Sequence, residues 1–191
     1  MIRQGPGPLV TRPRLVCCVI VACLLAGVFP TRTPVRAESP SRPLLEAGFI
    51  TKFPLFVTWP DEPWKESESP FVIGVMGETP VREHLEELAR YATIEGSALE
   101  VRTVHGPDEA RQCQLLFIAK LDDSTLTDLL ARLTREPVLT VADTRGYAKK
   151  GVHINFFADG EYVRFEINQE TSDAADLHLG FRLKNVARLV N

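Results

Sequence analysis

Apolar positions after residue 43 recur at helical spacing in four segments and therefore predict four helices. The first helix is expected over residues 44–59, with large apolar side chains on one face and Pro54 kinking it or ending its first half. Charged residues and prolines over residues 61–70 then predict a loop. Later helices are expected over about residues 79–91, 125–133 and 172–190.

Short apolar or alternating runs between these helices predict six strands. The strands are expected over residues 71–76, 99–104, 115–119, 138–142, 152–157 and 162–167. The Asp159-Gly160 pair between the last two strands is typical of a tight hairpin, whereas the earlier alternation of strands and helices favours parallel pairing. The sequence therefore predicts a single α/β domain with a mixed six-stranded sheet flanked by helices.

The N-terminal segment has the pattern of a secretory signal peptide. Arg3, Arg12 and Arg14 are the only charged side chains before the apolar run over residues 15–29. That run is shorter than the roughly 20 apolar residues that cross a bilayer. The chain then becomes polar, and small side chains precede the expected cleavage between Ala37 and Glu38.

Two alternatives to a cleaved signal peptide stay open. Residues 20–23 resemble a lipobox, in which Cys23 would be lipidated, although an apolar run rather than a polar tether follows that cysteine. An uncleaved membrane anchor is the second alternative, and the short apolar run argues against it.

The expected organisation is a signal peptide over residues 1–37, a linker over 38–43 and a domain over 44–191, with the mature protein in the periplasm.

The mature chain is expected to be acidic. Residues 1–37 hold five of the 22 basic residues and none of the 25 acidic ones, so 17 basic side chains and a net charge of −8 are left. Nucleic acids and anionic membrane surfaces attract basic proteins, so neither is expected as a direct partner. Direct membrane insertion after signal cleavage is not expected either.

Motifs for enzymatic chemistry are absent from the sequence. It has no nucleophile elbow, no phosphate-binding glycine loop and no zinc-binding histidine helix, so no catalytic residue, metal or cofactor is expected. Cys113 is the single cysteine after residue 37 and directly precedes a predicted core strand. We expect it to be a buried packing residue, the alternative being a disulfide between two chains.

Two places are candidates for binding. The loop after the strand over residues 138–142 contains Asp143, Arg145 and Tyr147, and ligands of α/β sheets tend to bind beyond the carboxyl ends of strands. These three residues are candidates for a ligand pocket, the alternative being a solvated connection. Trp64 lies in a charged loop without periodic support for burial, so it is a candidate partner-binding anchor. Alternatively, Trp64 folds back over the first helix.

Several segments in order along the chain resemble those of one protein family. Residues 49–53 and 56–60 resemble an aromatic helix that ends in Trp-Pro, and residues 71–77 resemble a first strand with its glycine. Residues 113–118 and 137–143 resemble two central strands of that family, and residues 151–168 resemble its final hairpin. Together these segments resemble the YfiR family of periplasmic regulators over about residues 44–190.

The resemblance implies an exported, non-enzymatic regulator. Such proteins restrain a membrane-bound signalling enzyme, best known as a diguanylate cyclase, by binding its periplasmic sensor domain, and less cyclic-di-GMP and biofilm matrix follow. The resemblance also implies that homodimers are common, and some members contain disulfides, which Cys113 alone cannot form within one chain. Two other functions stay open: a periplasmic small-ligand sensor acting with a histidine kinase, and an enzyme without a recognisable motif.

Overall fold

A central sheet of eight strands organises the part of the chain described by the computed structural model, which comprises residues 40–66 and 69–190. The eight strands of this sheet are β2 (Phe71–Met76), β3 (Thr93–Ile94), β4 (Ser97–Thr103), β5 (Leu115–Ile118), β6 (Leu139–Ala142), β7 (Ile154–Asp159), β8 (Tyr162–Asn168) and β10 (Arg188–Val190). Two further strands, β1 (Val57–Thr58) and β9 (His178–Leu179), lie outside it. The helices are α1 (Arg42–Ile50), α2 (Pro63–Glu66), α3 (Val81–Ala89), α4 (Pro107–Ala110), α5 (Asp123–Leu133), α6 (Gln169–Ala174) and α7 (Phe181–Val186), with 3₁₀ segments at Phe53–Phe56 and Ala148–Lys150.

The strands of the sheet follow the order β10-β8-β7-β6-β5-β2-β4-β3. Neighbours from β4 to β7 are all parallel, whereas the β7–β8 hairpin is antiparallel and β10 runs parallel to β8. The five parallel strands have the 2-1-3-4-5 order of a doubly wound sheet. The predicted mixed α/β sheet flanked by helices is confirmed. Its two additional strands, β3 and β10, are too short to show a periodic pattern.

Side chains that alternate along the central strands fill two separate cores. On β2, Phe71, Ile73 and Val75 pack with α1 and α3, whereas Val72 and Met76 pack with α5 on the opposite face. Helices therefore cover both faces of the middle of the sheet. This arrangement explains the uninterrupted burial along β2, β5 and β6.

Cys113 is buried against the second of these cores, as the sequence predicted. A Cβ atom placed on Gly74 would lie only 2.8 Å from the Cys113 Sγ atom and 2.7 Å from Cγ2 of Val104. The thiol therefore fills space that only a glycine leaves open. Burial raises the pKa of the Cys113 thiol to about 11, so the thiol stays protonated and unreactive.

The helix predicted over residues 172–190 is wrong. This region instead folds as α6, β9, α7 and β10. Asp176 adopts a positive φ of 58°, which a helix cannot continue, and Leu179 then pairs with Val57 in a separate two-stranded ribbon of β1 and β9. Leu179 of β9 and Leu183 of α7 are both buried. Their spacing of four residues suggested one helix, but a strand followed by a short helix also buries both side chains.

The first predicted helix is shorter than expected. α1 ends at Ile50, and Pro54 lies in the 3₁₀ segment that leads into β1. α1 begins at Arg42, so the expected linker over residues 38–43 overlaps the first two residues of α1.

The N-terminal predictions concern residues outside the described part of the chain. They comprise the signal peptide over residues 1–37, its cleavage between Ala37 and Glu38, and the alternative lipidation at Cys23. Among the described residues, none of the helices has the length and apolar character needed to cross a membrane.

Candidate functional site

A cavity of about 930 Å³ lies beside the loop that follows β6. Its volume falls in the range of about 300–1,000 Å³ that small-molecule sites occupy. Segments far apart in sequence contribute its charged lining, which comprises Arg42, Asp143, Arg145, Lys149, Asp159, Glu166 and Arg188. The fold therefore assembles a polar cavity next to the loop that the sequence indicated.

Two of the three predicted pocket residues line this cavity. Asp143 and Arg145 directly follow β6 and contribute to its wall. Tyr147 does not: its ring is buried in the core beneath α5, and its hydroxyl accepts a hydrogen bond from the Leu121 N–H (2.9 Å) and donates one to the Leu121 carbonyl oxygen (3.0 Å). Tyr147 thus ties two loops together, and its assignment to the ligand pocket is corrected.

Arg42 links the cavity to two partly desolvated carboxylates. Its Nε atom lies 2.7 Å from Oε1 of Glu46, a buried residue one turn further along α1. Burial raises the pKa of Glu46, and Arg42 opposes that shift. Burial likewise raises the pKa of Asp143, again opposed by the charge of Arg42. Within residues 40–66 and 69–190, no group of three or more His, Cys, Asp or Glu side chains could hold a metal ion.

Glu166 of β8 and Arg188 of β10 contribute a further pair of charges to the wall of the cavity. Arg188 forms an ion pair with the largely buried Glu166, and its guanidinium lies 4.1 Å from the centre of the Phe157 ring. An arginine held by both a carboxylate and an aromatic ring has little freedom to reorient. Glu166 and Arg188 are therefore structural charges of the wall.

Asn155 of β7 also lines the cavity and was not predicted from the sequence. Its Nδ2 atom donates to the Phe156 carbonyl oxygen (3.3 Å), whereas its buried Oδ1 atom has no hydrogen-bond partner within the described residues. An unpaired buried acceptor costs about 1–3 kcal/mol. The available sequence signal was a polar side chain inside an otherwise apolar strand, which is also compatible with an ordinary exposed position.

A second crevice, of about 390 Å³, lies at the carboxyl ends of β2 and β4. Ser124 and Thr125 line it, but both hydroxyls donate to the Asp122 carboxylate, which caps the N-terminus of α5. The crevice therefore presents few free polar groups, and the cavity beside Asp143 is the better candidate site.

Trp64 is buried, with 2% of its surface exposed. Its ring packs edge-on against Trp59 and Phe71, with centroid distances of 5.4 and 5.2 Å. The alternative expected from the sequence was that Trp64 folds back over the first helix. In the structure it does fold back, but the rings that it packs against lie after β1 and on β2, outside α1. The exposed partner-binding anchor that the sequence suggested is therefore corrected, because the side chain is not accessible in this fold.

Several solved structures and one family match this chain. A crystal structure of a conserved domain protein from Vibrio cholerae O1 biovar El Tor str. N16961 has a TM-score of 0.54 and 11% sequence identity, which indicates a shared fold. The alignment covers 81% of this chain and 62% of that protein, so the chain spans less than two thirds of its relative. No curated protein matches the sequence. The YfiR/HmsC-like family, however, matches residues 44–188, from α1 to β10. The chain therefore belongs to the YfiR/HmsC-like family.

Proposed function

We propose that the mature protein is a periplasmic regulator that restrains a membrane-bound diguanylate cyclase by binding the periplasmic sensor domain of that enzyme. Membership of the YfiR/HmsC-like family carries this proposal, because the family points to periplasmic regulation of cyclic-di-GMP signalling. The signal peptide expected over residues 1–37 would deliver the protein to that compartment. In this proposal the protein acts by surface contact and without catalysis.

Exposed apolar side chains of the 3₁₀ segment Phe53–Phe56 and of residues 181–189 support a contact mechanism. We define the contact surface as Leu55, Phe56, Phe181, Val186 and Leu189, all of which are exposed. The Gly180 N–H donates to the Phe56 carbonyl oxygen (2.7 Å), so the start of α7 is held beside the 3₁₀ segment Phe53–Phe56. The contact surface therefore combines residues of the 3₁₀ segment, α7 and β10, and the hydrogen bond fixes the first two of these elements relative to each other.

Phe181 is the proposed anchor of this surface. It is 75% exposed, whereas Trp64 is buried, and large aromatic side chains dominate the energy of many interfaces. Its neighbours Leu55 and Phe56 could shield it from water in a complex, as the residues around a hot spot do.

Affinity for the partner domain tests the proposal. The exported protein is mixed with the purified periplasmic domain of the diguanylate cyclase proposed as its partner, and the dissociation constant is measured. Phe181→Ala should weaken binding by about 30-fold or more, which corresponds to about 2 kcal/mol. The melting temperature of the Phe181→Ala variant should stay unchanged, because the Phe181 side chain makes little contact with the core.

Tyr91→Ala is the matched control, because Tyr91 is 87% exposed and follows α3, outside the contact surface. This control should bind like the wild type. Absence of wild-type binding would contradict the proposed function, whereas equal weakening by both substitutions would contradict only the assignment of Phe181.

A further inference from the structure

The Oδ1 atom of Asn155 is an acceptor that the protein itself does not use. Asn155 is 1% exposed, and no donor within the described residues reaches this atom. Folded proteins pair nearly all of their buried acceptors with the protein or with a bound molecule. Asn155 lines the cavity beside Asp143, although its Oδ1 atom is itself closed off from solvent. A small rotation of the side chain toward the cavity would let a bound molecule that carries a hydrogen-bond donor supply the missing partner.

Two cations at the same cavity also lack a partner. Arg145 and Lys149 are exposed, and neither forms an ion pair with a carboxylate in the described part of the chain. The other cations near the cavity are already paired: Arg42 with Glu46, Arg164 with Asp159 and Arg188 with Glu166. Positive charge at this cavity is therefore left for an external anion.

The charge of the cavity differs in sign from that of the protein. Four cations and three carboxylates line it, whereas the mature chain without residues 1–37 has a net charge of −8. A small anion is repelled by the rest of such a protein, so a locally positive cavity favours binding at this place over others.

We propose that this cavity binds a small hydroxylated organic anion, of the kind represented by sugar acids and sugar phosphates. The anionic group of the ligand contacts Arg145 and Lys149, and one of its hydroxyls donates to Oδ1 of Asn155. The Asp143 carboxylate accepts a hydrogen bond from a further hydroxyl of the ligand. Neutral sugars lack the first contact, and sulfate, which has no donor at neutral pH, lacks the contact to Asn155.

Isothermal titration calorimetry of the exported protein tests this inference with four probes. Glucuronate, glucose 6-phosphate or both should bind at least 10-fold more tightly than glucose and than sulfate. Binding of glucuronate alone would identify a carboxylate as the anionic group, and binding of glucose 6-phosphate alone would identify a phosphate. Failure of both to bind, or binding of sulfate as tightly as the better of the two, would overturn the inference.

Substitutions locate the site. The double variant Arg145→Gln and Lys149→Gln should weaken the better ligand at least 10-fold with an unchanged melting temperature, because both side chains are exposed. Lys120→Gln is the matched control: it removes an exposed cation after β5 that does not line the cavity, and it should bind like the wild type. An affinity of the double variant equal to that of the wild type would overturn the inference.

Asn155→Leu tests the donor contact separately. This variant should lose the preference for the hydroxylated anion over sulfate and keep its melting temperature, since leucine removes an unpaired polar atom from the protein interior. A retained preference would refute the role of Asn155. Should this variant fail to fold, the double variant decides alone. The inference stands independently of the proposed function, because it concerns a small molecule and not the partner domain.

Discussion

Acidification should destabilise the protein through His153, which lies just before β7. The Nδ1 atom of His153 accepts a hydrogen bond from the Thr140 N–H (3.1 Å), and the His153 N–H donates to Oγ1 of Thr140 (3.0 Å). The ring is buried, and burial lowers the pKa of His153 to about 4, opposed only by a hydrogen bond to the Thr171 backbone. A proton on Nδ1 would replace the acceptor by a donor that faces the Thr140 N–H.

The size of this effect follows from the two protonation states. In the unfolded chain the histidine has its ordinary pKa of 6.5, so between pH 6.5 and about 4 the unfolded chain binds a proton that the folded protein does not. The free energy of unfolding therefore falls as the pH drops through this window. The two pKa values differ by about 2.5, which corresponds to a loss of about 3 kcal/mol.

Two carboxylates act in the opposite direction. Burial raises the pKa of Glu46 and of Asp143, so the folded protein binds protons there more tightly than the unfolded chain does. Their stabilising effect on acidification offsets part of the loss at His153. A comparison with a histidine variant removes this contribution, because both proteins contain the same carboxylates.

Urea unfolding of the wild type and of His153→Asn between pH 7 and pH 4 measures the effect. Asparagine can keep an acceptor near the Thr140 N–H but does not titrate. Between pH 7 and pH 4, the free energy of unfolding of the wild type should fall by about 3 kcal/mol more than that of this variant. His105→Asn, at an exposed position, should follow the wild type. Parallel stability curves for the wild type and His153→Asn would refute the reasoning.

Three further predictions follow from burial and export. Trp64→Ala should lower the free energy of unfolding by about 3–5 kcal/mol, whereas exposed Tyr91→Ala should change it by less than about 0.5 kcal/mol in urea unfolding; equal effects would contradict the burial of Trp64. Cys113→Ser should cost about 1–3 kcal/mol yet leave partner affinity intact, and a disulfide-linked dimer that this substitution abolishes on a non-reducing gel would contradict the packing role. Mass spectrometry of the exported protein should find Glu38 at the N-terminus, and a diacylated Cys23 would disprove this cleavage.

The parts of the fold that the sequence predicted have strong local signals. β2 matches the predicted strand over residues 71–76, and the Asp159-Gly160 turn joins β7 to β8, with Gly160 at a φ of +61°. Trp64 shows the limit of such signals: it is one aromatic residue in a charged loop, and its burial depends on Trp59 and Phe71, which only the tertiary fold brings beside it.

The candidate site was likewise predictable only where a local sequence signal marks it. Asp143 and Arg145 were found because the carboxyl end of a strand is a general place for ligand binding. Asn155 and Arg188 were missed because each lies on a strand whose position beside that loop is set by long-range pairing. No local pattern could indicate that these residues share one cavity.

The cellular concentration of cyclic-di-GMP tests the proposed function most directly. Deletion of the gene should raise this concentration, because the membrane-bound cyclase loses its restraint. The protein with residues 1–37 should restore the low level, whereas a version without them should not, since it lacks the signal peptide expected there. An unchanged cyclic-di-GMP concentration after deletion, or full restoration by the version without residues 1–37, would contradict the account.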